Sequence, residues 1–105
     1  MRRDLPSKFE GMIISSDKVL TPQDVALKGL FVANTSGVTI TLPPPQEALD
    51  GAECLVVNNT NASVTLACTD GMPNGQDTRL LQSGTSVMLY CAPVSGTSYS
   101  WAVVG

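Results

Sequence analysis

The most reactive side chains in this sequence are three cysteines, Cys54, Cys68 and Cys91. Histidine, the commonest general base and metal ligand, is absent, so neither a Ser-His-Asp nor a Cys-His site can be assembled. The cysteines lack C-x-x-C spacing, which argues against a zinc site. Their odd number favours three buried thiols that pack as small apolar groups. The alternative, a disulfide joining Cys54 to Cys68 across a hairpin, would close a short loop with awkward geometry.

Oxygen-bearing side chains cluster in the segment TDGMPNGQD at 69–77. Asp70, Asn74 and Asp77 could offer ligands to calcium, but their order does not match an EF-hand loop, and we favour a surface turn. No general acid, nucleophile or cofactor site stands out elsewhere in the sequence. We therefore expect no enzyme activity, no cofactor and no bound metal.

Three tripeptides match the acceptor pattern for N-glycosylation. The first residues of the chain lack the apolar core of a signal peptide, and no apolar run approaches the roughly 20 residues of a membrane span. We expect a protein that is made in the cytoplasm and used without export. The tripeptides then predict turns whose side chains bond to nearby backbone: Asn34-Thr35-Ser36, Asn58-Asn59-Thr60 and Asn61-Ala62-Ser63.

In four segments every second residue is apolar, and the residues between them belong to the other face of the strand. This period of two is typical of half-buried antiparallel strands. Two continuous apolar runs, LFVA at 30–33 and CLVV at 54–57, indicate more deeply buried strands. MIIS at 12–15 and KVLT at 18–21 are short strand candidates. The alternating segments place these residues on buried faces: Val38, Ile40 and Leu42; Val64, Leu66 and Cys68; Val87, Leu89 and Cys91; Tyr99, Trp101 and Val103.

The sequence repeats itself over a short distance. LFVANTSGVTITL begins at residue 30, and CLVVNNTNASVTLA follows 24 residues later, from Cys54. We interpret these repeats, together with the last strands, as three successive hairpins with turns rich in Asn, Ser, Thr and Gly. The hairpins would cover residues 30–42, 54–68 and 87–104, with turns at 35–37, 59–61 and 95–97.

Two segments with helical punctuation precede the apolar runs. TPQDVALKG at 21–29 and PPPQEALDG at 43–51 each predict one or two helical turns, with a proline start and a glycine stop. No long helix is available to cover a sheet. The predicted fold class is therefore all-β, a small antiparallel β-sandwich or barrel of hairpins with short helical turns and an extended N-terminal arm.

Length and composition indicate one domain. Residues 1–17 are predicted to form the arm, and residues 18–105 the β-domain. Charged residues are only 14% of the chain, which favours burial of its surface against other chains. The first 28 residues carry five basic and four acidic side chains, whereas the remainder carries one basic and five acidic. An acidic body repels phosphate, and we expect neither a nucleic acid nor a membrane as partner.

The order of these motifs over residues 18–105 resembles a β-rich module common in virion proteins of tailed bacteriophages. In that family, strands with a T-I-T-L-P signature alternate with N-x-T/S-G turns, and lead to an L-x-x-G-x-S-V-x-L strand and a terminal tryptophan strand. The corresponding segments here are KVLTPQDVALKGLFVAN, VTITLPPP, NNTNASVTLA, LQSGTSVMLYCA and SWAVVG.

The resemblance implies a domain without catalytic residues that often trimerises, and that occurs in fibres, tail tips and capsid decoration proteins. Fibre proteins with this module are usually longer. We therefore expect a capsid decoration (cement) protein on the head surface of the virion, a homotrimer that binds the major capsid protein and stabilises the shell. The alternative is a trimeric tail-fibre or receptor-binding tip.

Residues for these contacts follow from the arm and from the aromatic side chains. The arm is expected to add a strand to a sheet edge of the major capsid protein. For residues 12–14 of the arm, MII, the alternative is an ordinary core strand. Tyr99 and Trp101 share a face of the last strand. We assign them to core or trimer contacts in preference to a sugar-binding platform. The arm candidates are Leu5, Phe9, Met12, Ile13 and Ile14, and the interface candidates are Tyr90, Tyr99 and Trp101.

Overall fold

The structure is a computed structural model that describes residues 11–27, 29–68, 78–96 and 98–104. Within these residues there are nine strands, a six-residue α-helix and a 3-10 helix. The strands are β1 (Gly11–Ile14), β2 (Lys18–Val19), β3 (Leu30–Ala33), β4 (Thr39–Thr41), β5 (Glu53–Asn58), β6 (Val64–Ala67), β7 (Thr78–Leu81), β8 (Ser86–Ser95) and β9 (Ser98–Val104). The α-helix is α1 (Pro22–Leu27), and the 3-10 helix is Glu47–Leu49.

The strands form two sheets. The five-stranded sheet has the order β1-β3-β5-β8-β9, and the four-stranded sheet has the order β2-β4-β6-β7. Side chains from both sheets meet in one core, and neither sheet closes on itself. The predicted all-β fold is confirmed, and of the two predicted architectures the sandwich is the one observed.

Two of the three predicted hairpins are wrong. Strands β3 and β4, within residues 30–42, lie in different sheets, and so do β5 and β6, within 54–68. Each pair is a β-arch, in which two strands joined by a turn face each other through their side chains across the core. The third prediction is confirmed, because β8 and β9 pair as an antiparallel hairpin with Cys91 opposite Trp101.

The arches stack on one another in parallel register. Strand β3 pairs with β5 so that Leu30 lies beside Leu55, and β4 pairs with β6 so that Thr39 lies beside Thr65. A further arch, β1–β2, stacks in the same way on β3–β4. The sheets are therefore mixed and not purely antiparallel as predicted. The repeat in the sequence corresponds to stacked coils, the arrangement found in solenoid proteins.

The turns of successive arches are joined by hydrogen bonds. The Gly37 amide donates to the Ser63 carbonyl at 3.3 Å, and the Ser36 hydroxyl donates to Oδ1 of Asn61 at 3.2 Å. Gly37 has a φ of +81°, a backbone conformation that residues with a Cβ rarely adopt. Between the first two arches, Oδ1 of Asp17 accepts a hydrogen bond from the amide of Thr39 at 2.9 Å. Turn residues thus hold the arches in register.

The two predicted helical segments are confirmed, and each returns the chain from the four-stranded sheet to the five-stranded sheet. The first begins with a reciprocal cap: the Asp24 amide donates to the Thr21 hydroxyl, and the Thr21 amide donates to the Asp24 carboxylate. This arrangement satisfies two N–H groups that the helix itself leaves unpaired. The second segment contains the 3-10 helix and ends at Gly51, which has a φ of +81°.

The alternating residues form the core as predicted. The inward residues of the first three alternating segments are all buried, and Trp101 is fully buried in β9. Tyr99 and Val103, on the same face as Trp101, pack against this core. The periodicity of the sequence therefore identified the inner face of the four alternating segments correctly.

Part of the predicted arm, residues 1–17, belongs to the sandwich. Residues 1–10 lie outside the described residues. Residues from Gly11 onward form β1, which pairs with β3, and Ile14 is buried in the core. For residues 11–14 the structure corresponds to the core-strand alternative, because alternate residues of the strand face the core.

Candidate interaction surface

The cysteines are buried thiols, as predicted. Burial, followed by the nearby Cys91, raises the pKa of Cys54 to about 12. Cys91 directs its sulfur to the Gln46 carbonyl at 3.7 Å. A thiol with such a pKa holds its proton at neutral pH, and a thiolate is the form that acts as a nucleophile. Cys54 therefore packs as a small apolar group in this fold.

Asn58, the last residue of β5, has a structural function. Among the residues that the structure describes, it is the polar side chain that is buried in the core. Its amide nitrogen donates to the Leu81 carbonyl at 2.9 Å and to the Ala62 carbonyl at 2.7 Å. Its Oδ1 accepts from the amide of Thr60 at 3.0 Å and from the Thr60 hydroxyl at 2.6 Å. This tripeptide thus bonds to nearby backbone, as predicted, and it anchors the turn of the third arch to β7.

The candidate calcium ligands, Asp70, Asn74 and Asp77, lie outside the described residues. Among the residues that are described, no three His, Cys, Asp or Glu side chains lie close enough together to hold a metal ion. In the same part of the chain, no helix has the length and apolar character that crossing a membrane requires.

A cleft with a volume of about 630 Å³ lies beside the β8–β9 hairpin and β7. Arg79 is the one charged side chain in its described lining, which is otherwise formed largely by apolar residues such as Pro93, Val94 and Val103. General acid–base catalysis uses side chains such as His, Asp, Glu, Lys, Tyr or Cys. The described lining of this cleft does not supply them.

The two outer faces of the sandwich differ in chemistry. The outer face of the four-stranded sheet carries Thr39, Thr41 and Thr65, all half-buried. The outer face of the five-stranded sheet is apolar across β3, β5 and β8, and Glu53 is the charged side chain on these three strands there. Strand register sets its members side by side. We call this set the apolar face: Leu30, Val32, Leu55, Val57, Met88 and Tyr90.

The apolar face corrects one prediction. LFVA and CLVV were expected to be deeply buried, but β3 and β5 alternate between buried and half-buried residues. Strands in parallel pairing are normally covered on both faces, and contiguous apolar surface commonly marks an interaction site. The second, outer set of apolar side chains in these strands is therefore available to another chain.

The three predicted interface aromatics do not form one patch. Tyr90 lies on the apolar face. Trp101 is 0% exposed and belongs to the core, and Tyr99 packs against that core from the inner side. Direct subunit contact is open to Tyr90, whereas the indole of Trp101 is already enclosed by its own chain.

The predicted arm contacts are divided as well. Leu5 and Phe9 lie outside the described residues. In β1, Met12 packs against the core, Ile14 is buried, and Ile13 is 68% exposed. A groove of about 280 Å³ runs along these residues and the turn to β2. Of the described arm candidates, Ile13 is the one whose side chain faces solvent.

Backbone direction makes the first arch distinctive. The Ile14 carbonyl accepts the Asn34 amide at 3.1 Å, so Ile14 directs its backbone groups toward β3. Since backbone groups alternate sides along a strand, Ile13 directs its N–H and C=O away from the sheet. The Leu20 amide donates to the Thr41 carbonyl at 2.8 Å, so Leu20 directs its backbone groups toward β4. By the same alternation, Val19 directs its N–H and C=O away from the sheet. Val19 is 69% exposed.

No protein-family model matches this sequence, and no curated protein matches it. The surface is therefore defined by geometry alone. It has two parts: the apolar face, and the edge of the first arch with Ile13 and Val19.

Sequence reasoning missed the apolar face and Val19. The signal for the face was present, because LFVA and CLVV are apolar at consecutive positions, so both faces of each strand must be apolar. The exposure of Val19 had no local signal. It follows from the position of β2 as the last strand of its sheet, which only the pairing order reveals.

Proposed function

We propose that this protein is a structural protein of a tailed-bacteriophage virion, and specifically a cement protein that decorates the capsid. The apolar face is the observation that carries the proposal. It presents large side chains with one carboxylate, Glu53, beside them, on a chain with few charges overall. Such a surface favours permanent burial against other subunits. The motif order that resembles virion modules supports the same conclusion.

The apolar face supplies the contact for self-association. Fully burying one large aliphatic side chain contributes roughly 1.5–3 kcal/mol, and a half-exposed one contributes less. Several such residues on each subunit therefore favour self-association. Copies that turn this face toward a shared axis form the homotrimer that the family resemblance implies, with Tyr90 at the interface.

The segment before β1 supplies the contact with the shell. Residues 1–10 precede Gly11, the first residue of the edge strand β1. A segment of this kind adds a strand to a sheet edge of the major capsid protein through backbone hydrogen bonds. Many copies on one lattice then stabilise the assembled shell by mass action, since they bind the shell and not its free subunits.

One feature favours decoration over a receptor-binding tip. Sugar-binding tips use exposed aromatic rings, but Trp101 is enclosed in the core. The described cysteines are buried, and histidine is absent from the chain, so reactive side chains offer no support for a catalytic role. Contact with neighbouring subunits is the activity that this set of side chains serves best.

The test compares binding to empty expanded capsids with binding to host cells. The variants are the full chain, a deletion of residues 1–10 that leaves β1 whole, and Leu55→Asp on the apolar face. Thr65→Asp, half-buried on the outer face of the other sheet, is the matched control. We expect the full chain and Thr65→Asp to decorate capsids, the deletion to lose decoration while remaining oligomeric, and Leu55→Asp to lose self-association through the apolar face.

Binding to cells without capsid decoration would replace the proposal with the tail-tip alternative. A folded monomer that binds neither would overturn both.

A further inference from the structure

The first arch leaves two strand edges open at the same end of the sandwich. Strand β1 is the last strand of the five-stranded sheet, and β2 is the last strand of the four-stranded sheet. Within the described residues, no strand pairs with the outer side of either. Because the arches stack in parallel, both edges lie at one end of the stack, which we call the open end.

The open end presents both kinds of group that strand pairing needs. Ile13 and Val19 direct their backbone N–H and C=O outward from the two sheets, as derived above. Their side chains are 68% and 69% exposed. An apolar side chain at a position with outward backbone groups gains from pairing twice, through hydrogen bonds and through burial.

Devices that normally protect such edges are sparse here. Natural edge strands are blunted by lysines, prolines, bulges or a covering element. Residues 11–20 contain one lysine, Lys18, and no proline, and the pairings of β1 and β2 run without a register shift. The only two charged residues of this stretch, Asp17 and Lys18, have opposite signs, so two such ends do not repel each other.

The number of open edges identifies the partner. A single strand donated by another protein can pair with one of the two edges and leaves the other open. A twofold axis normal to both sheets reverses strand direction and stacking direction together, and keeps each sheet in its own layer. A second copy related by this axis therefore pairs β1 with β1 and β2 with β2, both antiparallel, in one contact.

We propose that two copies of this chain join end to end through the open end, about a twofold axis that passes near Ile13 and Val19. Each residue then lies opposite its own counterpart, and the two sheets continue across the junction. This pairing uses a different surface from the apolar face. It rests on strand geometry and holds whether or not the protein binds a capsid.

The test measures the mass of the purified full chain by sedimentation velocity over a hundredfold range of concentration. Val19→Lys places a charge at the junction without touching the apolar face. Leu80→Lys is the matched control, because Leu80 is 61% exposed on β7, the opposite edge of the same sheet. We expect Val19→Lys to reduce the mass to that of the assembly held together by the apolar face alone, and to weaken end-to-end pairing at least tenfold. Leu80→Lys is expected to leave the mass unchanged.

Cross-linking tests the symmetry itself. Opposed residues of a hydrogen-bonded antiparallel pair have Cα atoms about 5.5 Å apart, a separation that a disulfide can span. Val19→Cys is therefore expected to form covalent dimers under mild oxidation, while the buried native thiols and Leu80→Cys do not.

Three results would overturn the inference. If Leu80→Lys reduces the mass as much as Val19→Lys, the copies join head to tail. If pairing appears only after deletion of residues 1–10, the chain's own first residues cover the edge. If Val19→Lys has the mass of the wild type at every concentration, the open end does not pair copies.

Discussion

The indole Nε1 of Trp101 donates a 2.8 Å hydrogen bond to the carbonyl oxygen of Pro43. Trp101 lies in the last strand, and Pro43 begins the connection that leaves the four-stranded sheet after β4. Both residues are buried. The sulfur of Cys68 approaches the same carbonyl at 3.5 Å. One carbonyl thus joins the last strand, the second arch and the end of the third arch across the core.

Trp101→Phe is expected to lower the free energy of unfolding by about 2–4 kcal/mol. The smaller ring leaves a cavity, and the buried Pro43 carbonyl loses its N–H donor. Urea denaturation followed by far-UV circular dichroism measures the change. Tyr90→Phe, on the half-exposed apolar face, is the control and should change stability by about 0.5 kcal/mol or less. Equal effects of the two substitutions would show that Pro43 does not depend on the indole.

Asn58→Ala is expected to cost about 2–4 kcal/mol, because the carbonyls of Leu81 and Ala62 and the Thr60 amide lose their partner together. Asn59→Ala is the matched control. The Asn59 side chain is next in sequence and exposed, and its removal should change the free energy of unfolding by about 0.5 kcal/mol. The measurement is the urea midpoint at constant m-value. A midpoint for Asn58→Ala equal to that of the control would refute the anchoring role of this side chain.

The stability of the protein is expected to fall between pH 9 and 12 because of Cys54. The unfolded thiol releases its proton near its ordinary pKa of 9.0, whereas the folded thiol retains it to about 12. The folded state thus binds more protons in this range, so its stabilisation is complete below pH 9 and is lost as the pH rises. The full difference corresponds to roughly 4 kcal/mol.

Urea denaturation at pH 8, 9, 10 and 11 measures this loss, and Cys54→Ala is the comparison. The variant is less stable at pH 8 because of its cavity, but it should lose less stability with rising pH than the wild type. Parallel pH profiles would show that the Cys54 thiol does not titrate differently in the folded chain.

Gly37→Ala is expected to destabilise the fold by about 1–2 kcal/mol. A Cβ at this position meets no atom within 4 Å, so the cost comes from the positive φ of the turn and not from a clash. Gly11→Ala is the control, because its Cβ would make an ordinary contact of 3.5 Å with Leu30. Thermal unfolding of both variants compares them, and a smaller loss for Gly37→Ala than for Gly11→Ala would contradict the explanation.

Much of the local structure could be predicted from the sequence. Period-two alternation identified the residues that face the core, such as Ile40, Leu66 and Leu89, because a strand turns successive side chains to opposite faces wherever it pairs. Thr21 and Asp24 identified the start of α1, because cap residues act on backbone within one turn. These features depend on neighbours in the chain, and the sequence records them directly.

The candidate surface was only partly predictable. Ile13 was identified as a contact residue, but as part of an arm and not as an edge position of a sheet. Tyr90 was identified beside Trp101, although their side chains lie on opposite faces of the sheet. Composition marks residues that need burial, whereas the strand order decides which of them the fold itself buries.

The sequence by itself determined that the chain folds into short strands with one buried face each, joined by polar turns and capped helical segments. Only the tertiary structure decided that residues 30–42 and 54–68 form stacked arches instead of hairpins. Hairpin and arch use the same turn residues and the same alternation, and they differ in whether the two strands meet through backbone or through side chains. That choice depends on the core that all nine described strands build together, and it sets which edges and which face remain open to a partner.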